Sequence, residues 1–267
     1  RLECQDYKRD SSFALTSPTY TTIYSIQKDT TDQGEHMDED ESGQDDTTKT
    51  MPAAKPILYS YWRSSCSWRI RIALNLKKID YTLEPVNLAE SQKNLQKIAD
   101  KTDFALIPVL QIDDTVLTES LAIIEYLEEK FPDRKALLPG SAEDRAKIRA
   151  LALQIIANTQ PLQNLRVLQY FPEPSQRAAW AKHWITFNFT KLEKALKKTA
   201  GKYGYGDQLS LVDVCIPAQV YNAKRFGVDM SQFPTIARLV EELGKIPEFI
   251  AADCHNQEDT PESERKK

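Results

Sequence analysis

From Pro56 onward the spacing of apolar positions changes every ten to fifteen residues, and the changes mark out elements. Ile57 to Tyr61 is an apolar and aromatic run of strand length, broken only by Ser60. It is followed by a helical pattern from about Cys66 to Lys77, with apolar positions at Ile70, Ala73 and Leu74 and a second row at Ile72 and Leu76. Further strands are predicted over 81–86, 109–112 and 115–117, with a helical stretch near 90–100 between the first two. Asp113-Asp114 separates two short apolar runs and reads as a hairpin turn. Ile123, Ile124, Leu127 and Phe131 lie at helical spacing after Ser120, and Pro132 ends that helix by removing a donor and clashing with the preceding turn. The order is β-α-β-α-β-β-α.

Pro132 to Gly140 has no period and reads as a linker. Beyond it only helical spacing recurs, over 142–158, 175–199, 210–225 and 235–244, so the second half is predicted to be all-α. Ser210 and Asp213 form a capping box in which Asp213 stands where Glu is usual, at the head of a mostly apolar and therefore buried helix. The expected organisation is an α/β domain over 55–138, a helical domain over 139–256 and a polar C-terminal tail over 257–267. No internal repeat is present.

The acidic groups change the picture at the N-terminus. Residues 1–50 hold twelve Asp and Glu against five Lys and Arg, with no usable period, and 1–54 is expected to be a disordered acidic extension. It is either a leader ahead of a start at Met51 or a genuine acidic tail. The chain carries a formal charge of -4 in all. Without the tail it is about +3, which suits a site for small anions better than a nucleic-acid groove. No apolar run is long enough to cross a bilayer and no signal-peptide pattern is present, so no membrane is expected and a cytoplasmic location is. Four scattered cysteines (Cys4, Cys66, Cys215, Cys254) and three distant histidines lack the spacing of a disulfide framework or a metal cluster.

The chemistry concentrates where the first strand turns into the first helix. SSCSWRIRIAL, from Ser64 to Leu74, places three hydroxyls, a thiol, an indole and two guanidinium groups at a helix start. Unpaired N–H groups and the positive end of the helix dipole stabilise an anion or a thiolate there. Ser64, Ser65 and Cys66 stand at that end, either as a site or simply as caps. Pro108 belongs at the start of its strand, where a missing N–H breaks no ladder. The Ile107-Pro108 peptide is either an ordinary turn or a cis bond that turns the Ile107 backbone outward to receive an extended peptide. Glu119-Ser120 opens the next helix, with Ser120 read as its N-cap. The pair suits a zwitterion, the carboxylate of Glu119 for an ammonium and the Ser120 hydroxyl for a carboxylate.

Taken together, KPILYSYWRSSCSWRIRIAL, SLAIIEYLEE, QPLQNL, GDQLSLVDVCIPAQVYNAKRF and the terminal DTPE resemble the zeta class of the cytosolic glutathione transferases, also known as maleylacetoacetate isomerases. The resemblance runs from about Lys55 to Glu262. It implies a thioredoxin-like N-terminal domain plus an all-α C-terminal domain, glutathione as cosubstrate, small anionic or electrophilic substrates and a homodimer.

Residue by residue, the resemblance makes Ser64 the hydroxyl that hydrogen-bonds the glutathione sulfur. Ser65, Cys66, Ser67, Trp68 and Arg69 complete the loop, and Ile107 with Pro108 holds the cysteinyl backbone. Glu119 with Ser120 holds the γ-glutamyl end, Gln160 and Asn164 complete the cosubstrate site, and Arg225 binds anionic substrates. Cys66 is either a second nucleophile or a group that lines the site. The implied reactions are the glutathione-dependent isomerisation of maleylacetoacetate to fumarylacetoacetate and attack on α-halo acids. The alternative is a non-catalytic binding or scaffold protein of the same fold. Two positions depart from the family pattern. Lys101 to Ile107 reads KTDFALI where an Asn-Pro pair is usual, and Arg166 stands where the family has serine.

Overall fold

The computed structural model describes residues 54–87 and 92–265. The acidic extension through residue 53 lies outside them. Four strands, β1 (Ile57–Ser60), β2 (Thr82–Pro85), β3 (Val109–Ile112) and β4 (Thr115–Thr118), form one sheet in the order β2-β1-β3-β4. β1 and β2 are parallel, with Leu58 opposite Leu83, whereas β3 runs antiparallel to both β1 and β4. The parallel pair needs a crossover, which α1 (Ser65–Leu76) supplies. The antiparallel pair is joined at Asp113-Asp114, where Asp113 takes a φ of 50° as a two-residue hairpin requires. α2 (Gln92–Ala99) and α3 (Ser120–Lys130) complete this layer.

The helices that follow are α4 (Ala142–Ile156), the short α5 (Leu165–Leu168), α6 (Pro174–Thr199), α7 (Leu211–Arg225), α8 (Pro234–Leu243) and α9 (Pro247–Ala252). The periodicity located α4, α6, α7 and α8 to within two residues. It did not foresee α5 or α9, which are too short to show a period.

α1 is the centre of the packing and contacts α3, α7 and α9. Ile70, Ile72, Ala73 and Leu74 are all fully buried, because α1 has the sheet and α3 on one side and the helical layer on the other. Each of the three isoleucine and leucine side chains contributes about 1.5–3 kcal/mol relative to exposure. A helix buried all round explains why the sequence shows two apolar rows rather than one. A smaller cluster of Tyr59, Val86, Ile98 and Val109 fills the opposite face of the sheet.

The capping box at α7 is present as read. Asp213 accepts from the N–H and hydroxyl of Ser210 at 2.9 Å, and also from the Gly204 N–H at 2.7 Å. Burial pushes the Asp213 carboxyl up, and the N–H groups of Gly204 and Ser210 oppose that shift. Gly204 has no room for a side chain, since a Cβ there would lie 2.8 Å from the Val212 side chain. Asp213→Ala strands two buried N–H groups and is expected to destabilise the fold by about 2–4 kcal/mol. The check is urea unfolding, and an unchanged midpoint would refute it.

The segment expected as a polar tail packs back onto the body. Gln257 and Thr260 are buried, with the Gln257 amide donating to the carbonyls of Ala251 and Asp253 and the Thr260 hydroxyl donating to that of Cys254. A 3-10 turn over Glu262–Glu264 follows.

Candidate active site

At the end of β1 the chain makes a tight turn closed by the Ser64 N–H donating to the Tyr61 carbonyl at 3.0 Å. Ser64 is the N-cap of α1, and its hydroxyl oxygen accepts the Ser67 N–H at 3.2 Å. That bond uses one lone pair and leaves the hydroxyl hydrogen to donate to an anion in front of the helix. The Ser64 hydroxyl, the nearby N–H groups and the helix dipole all favour negative charge at this point.

Ser65 joins the two layers. Its hydroxyl accepts from the Asn222 side-chain amide of α7 at 2.8 Å, and Asn222 lies three residues before Arg225 on the same helix. Arg225 is exposed and its guanidinium is pulled below the ordinary value, first by desolvation and then by the charge of Arg63. The head of α1, preceded by Arg63, and the end of α7, which bears Arg225, thus share one cationic face. Asn222 and Arg63 were not singled out from the sequence. The three-residue step from Asn222 to Arg225 was the available signal, because it places both on one helix face.

Cys66 is half-buried, and its sulfur accepts from the Gln160 side-chain amide at 2.9 Å and from Arg69 Nη2 at 3.0 Å. The same Arg69 nitrogen donates to the Gln160 carbonyl oxygen, which closes a triangle between α1 and the turn after α4. Arg69 is only 2% exposed. Burial works against its charge, but the sulfurs of Cys66 and Cys215 outweigh it and hold the guanidinium above its ordinary value. Burial pushes the Cys215 thiol up to about 11. Ser67 and Trp68 point into the packing, Trp68 against Tyr221 with ring centres 5.9 Å apart.

The Ile107-Pro108 bond is cis rather than part of an ordinary trans turn. Ser120 is corrected: it is the first helical residue and is buried, while Glu119 is the N-cap. The reason is the backbone of Glu119, whose φ of 61° and ψ of 112° lie outside the helical region. A non-glycine residue held in such a conformation costs about 1–3 kcal/mol and tends to occur where a ligand is gripped. Glu119 is exposed, and its carboxylate forms no ion pair among the described residues.

Asn164 caps α5 through a bond from the Arg166 N–H at 3.1 Å and is exposed. The Arg166 side chain is exposed as well. In the divergent loop, Lys101 turns away toward the sheet, donating to Gln111 at 3.2 Å and lying 4.9 Å from the centre of the Tyr59 ring. Ala105 takes a φ of 47° there.

Asp253, Cys254 and His255 bring three possible ligand atoms within 4.8 Å, a grouping that a search for separated histidines overlooks. The turn itself accounts for it, since Asp253 caps that turn by accepting the His255 N–H.

Residues 58–135 match the glutathione S-transferase N-terminal domain, and residues 163–252 match the glutathione S-transferase C-terminal domain. The probable maleylacetoacetate isomerase 2 of Drosophila melanogaster is 47% identical over 209 residues, covering 78% of this chain and 91% of the relative. The maleylacetoacetate isomerase of Anaeromyxobacter dehalogenans, solved with glutathione bound in its active site, is 37% identical with a TM-score of 0.72, covering 78% of this chain and 98% of that one. A bacterial maleyl pyruvate isomerase described as a zeta-class glutathione S-transferase is 36% identical with a TM-score of 0.72, covering 77% and 100% of the two chains. With two matching domains in the observed order and near-complete coverage of these relatives, the chain belongs to the zeta class of glutathione transferases, the class of the maleylacetoacetate isomerases.

Proposed function

We infer that the protein catalyses the glutathione-dependent cis-trans isomerisation of maleylacetoacetate to fumarylacetoacetate, and that it also acts on small electrophiles such as α-halo acids. The observation that carries this reading is the shared cationic face. The donor-rich head of α1 at Ser64 is tied through Ser65 and Asn222 to the helix end that bears Arg225. Such a face offers one position for a thiolate and another for a carboxylate. The donor set also suits the tripeptide, since Glu119 presents a carboxylate without an ion pair among the described residues, and cis Pro108 lies at the start of β3.

Glutathione supplies the thiolate that adds to the cis double bond, allows rotation about the resulting single bond and leaves again, so it is not consumed. In this reading Ser64 donates its hydroxyl hydrogen to the sulfur, and the head of α1 disfavours protonation there. Arg225 and Arg63 hold the substrate carboxylates. Glu119 holds the γ-glutamyl ammonium, the Ile107 backbone holds the cysteinyl unit, and Gln160 and Asn164 approach from the helical layer. Cys66 lines the site. Its sulfur already accepts two hydrogen bonds, which favours a fixed position over attack on the substrate. The family resemblance adds a homodimer and a cytoplasmic location. No helix among the described residues is long and apolar enough to cross a membrane.

The purified protein with glutathione and maleylacetoacetate is expected to yield fumarylacetoacetate well above the rate given by free thiol. Saturable glutathione heat in calorimetry without such turnover would sink the isomerase reading. No saturable heat at all would favour a scaffold that has lost its cosubstrate.

A further inference from the structure

Two residues before the Ser64 cap, the main chain is held from an unexpected direction. The Trp62 N–H donates to Asp259 Oδ2 at 2.8 Å, across a sequence separation of 197 residues. The matching carbonyls are taken by Arg71, which is fully buried on α1. Arg71 Nη2 donates to the Trp62 carbonyl at 3.0 Å, and its Nη1 donates to the Ser60 hydroxyl at 3.0 Å and the Tyr61 carbonyl at 3.4 Å. Its Nε donates to the Ala252 carbonyl at the end of α9 at 3.1 Å. The Tyr61 carbonyl is also the acceptor for the Ser64 N–H, so the turn that sets Ser64 shares an atom with this clamp.

We propose that Asp259, on the returning C-terminal segment, is a positioning residue for the Ser64 junction: with Arg71 it fixes the Ser60–Trp62 backbone from which Ser64 is held out. The proposal rests on the thiolate role given to Ser64 above. Donor and acceptor sides of the same peptide chain are gripped by opposite charges, Asp259 on the N–H and Arg71 on the carbonyls. Bonds to charged partners are the strong ones. The segment that carries Asp259 is itself secured, by Gln257 and Thr260 on one side and by Arg265, whose Nε donates to the Thr260 carbonyl at 3.1 Å. The carboxylate therefore reaches the junction from a fixed support. A hydroxyl aimed at a developing anion must be held to a fraction of an ångström, and a misplacement of about 1 Å is enough to lose about 10²-fold in rate.

The test uses the full chain with Asp259→Ala and Asp259→Asn. The carboxamide oxygen of the asparagine variant can still accept the Trp62 N–H, whereas alanine cannot. In Asp259→Ala without glutathione, amide hydrogen exchange at Trp62 and Ser64 is expected to accelerate about tenfold to 10²-fold. With glutathione, the pKa of the bound thiol, read from its ultraviolet thiolate band, is expected to rise. kcat should fall about tenfold, and KM for the electrophile should change little. Asp259→Asn is expected to restore exchange protection and most of kcat.

Unchanged exchange at Trp62 in Asp259→Ala would overturn the proposal. So would a rate loss shared equally by both variants while the thiol pKa stays put, because that is the pattern of a merely structural role. If the wild-type protein bound no glutathione, the functional reading would fall, and the exchange comparison would still decide whether Asp259 holds the junction. If Asp259→Ala does not fold, Asp259→Ser takes its place, its side chain being too short to reach the amide.

Discussion

Ser64→Ala is expected to lower glutathione-dependent turnover by about 10²-fold or more, the loss seen when one well-aimed donor to a developing anion is removed. The geometry explains why the effect falls on the rate. The Ser64 hydroxyl oxygen accepts from the Ser67 N–H, and a hydroxyl polarised in this way is a better donor to a sulfur in front of it. Alanine removes that donor and also the α1 cap, worth about 1 kcal/mol in stability. The fold tolerates that, since α1 is held by burial on every side. Glutathione affinity should change little, because Glu119 and the Ile107 backbone are untouched. The thiol pKa of bound glutathione should rise.

Cys66→Ala is the informative contrast. It breaks the triangle with Gln160 and Arg69 but leaves Ser64 in place, so thiolate formation should persist while substrate positioning changes. A normal thiolate band in Ser64→Ala together with a lost band in Cys66→Ala would reverse the two roles.

Lys77→Met is expected to destabilise the protein by about 3–5 kcal/mol, the cost of leaving one member of a buried ion pair without its partner. For a folded body of this size that lowers Tm on the order of 10 °C, measurable by calorimetry. Lys77 is 1% exposed and lies 2.6 Å from Glu128 Oε1, with a further bond from Nζ to the Lys135 carbonyl at 3.1 Å. Glu128 in turn accepts the N–H groups of Leu137 and Leu138 at 3.0 Å. One ion pair therefore fastens the end of α1 and α3 to the stretch that leads into the helical layer. In the double variant Lys77→Met, Glu128→Gln the charge is no longer stranded, and part of the loss should be recovered. If the double variant were no more stable than Lys77→Met, the pair would not be the source of the effect.

What the sequence determined by itself was the succession of elements and the nature of their ends. Apolar spacing reports which side of an element faces the core, and this is a local property. β1, α1, the β3–β4 hairpin, α3 and the four longer helices of the second half were therefore legible to within a few residues. Caps are local too, and the box at Ser210 and Asp213 could be read from a spacing of three. The junction at Ser64 was legible because a strand, a run of hydroxyls and a helix start are neighbours in the chain.

The partners of that junction were decided only by the tertiary structure. Ser65 meets Asn222, Cys66 meets Gln160 and Trp62 meets Asp259 across separations of 157, 94 and 197 residues, and no periodicity carries such pairings. Charge misleads in the same way. Arg69 and Arg71 on α1 and Lys77 just after it carry charges of the kind that usually face water, yet all three are buried, because α1 is enclosed by the sheet layer and the helical layer together. A charged side chain can be buried only where the fold delivers its acceptors. For Arg71 these are carbonyls at the end of β1 and at the end of α9, a helix too short to be seen by its period, and only the path of the whole chain brings them to one place.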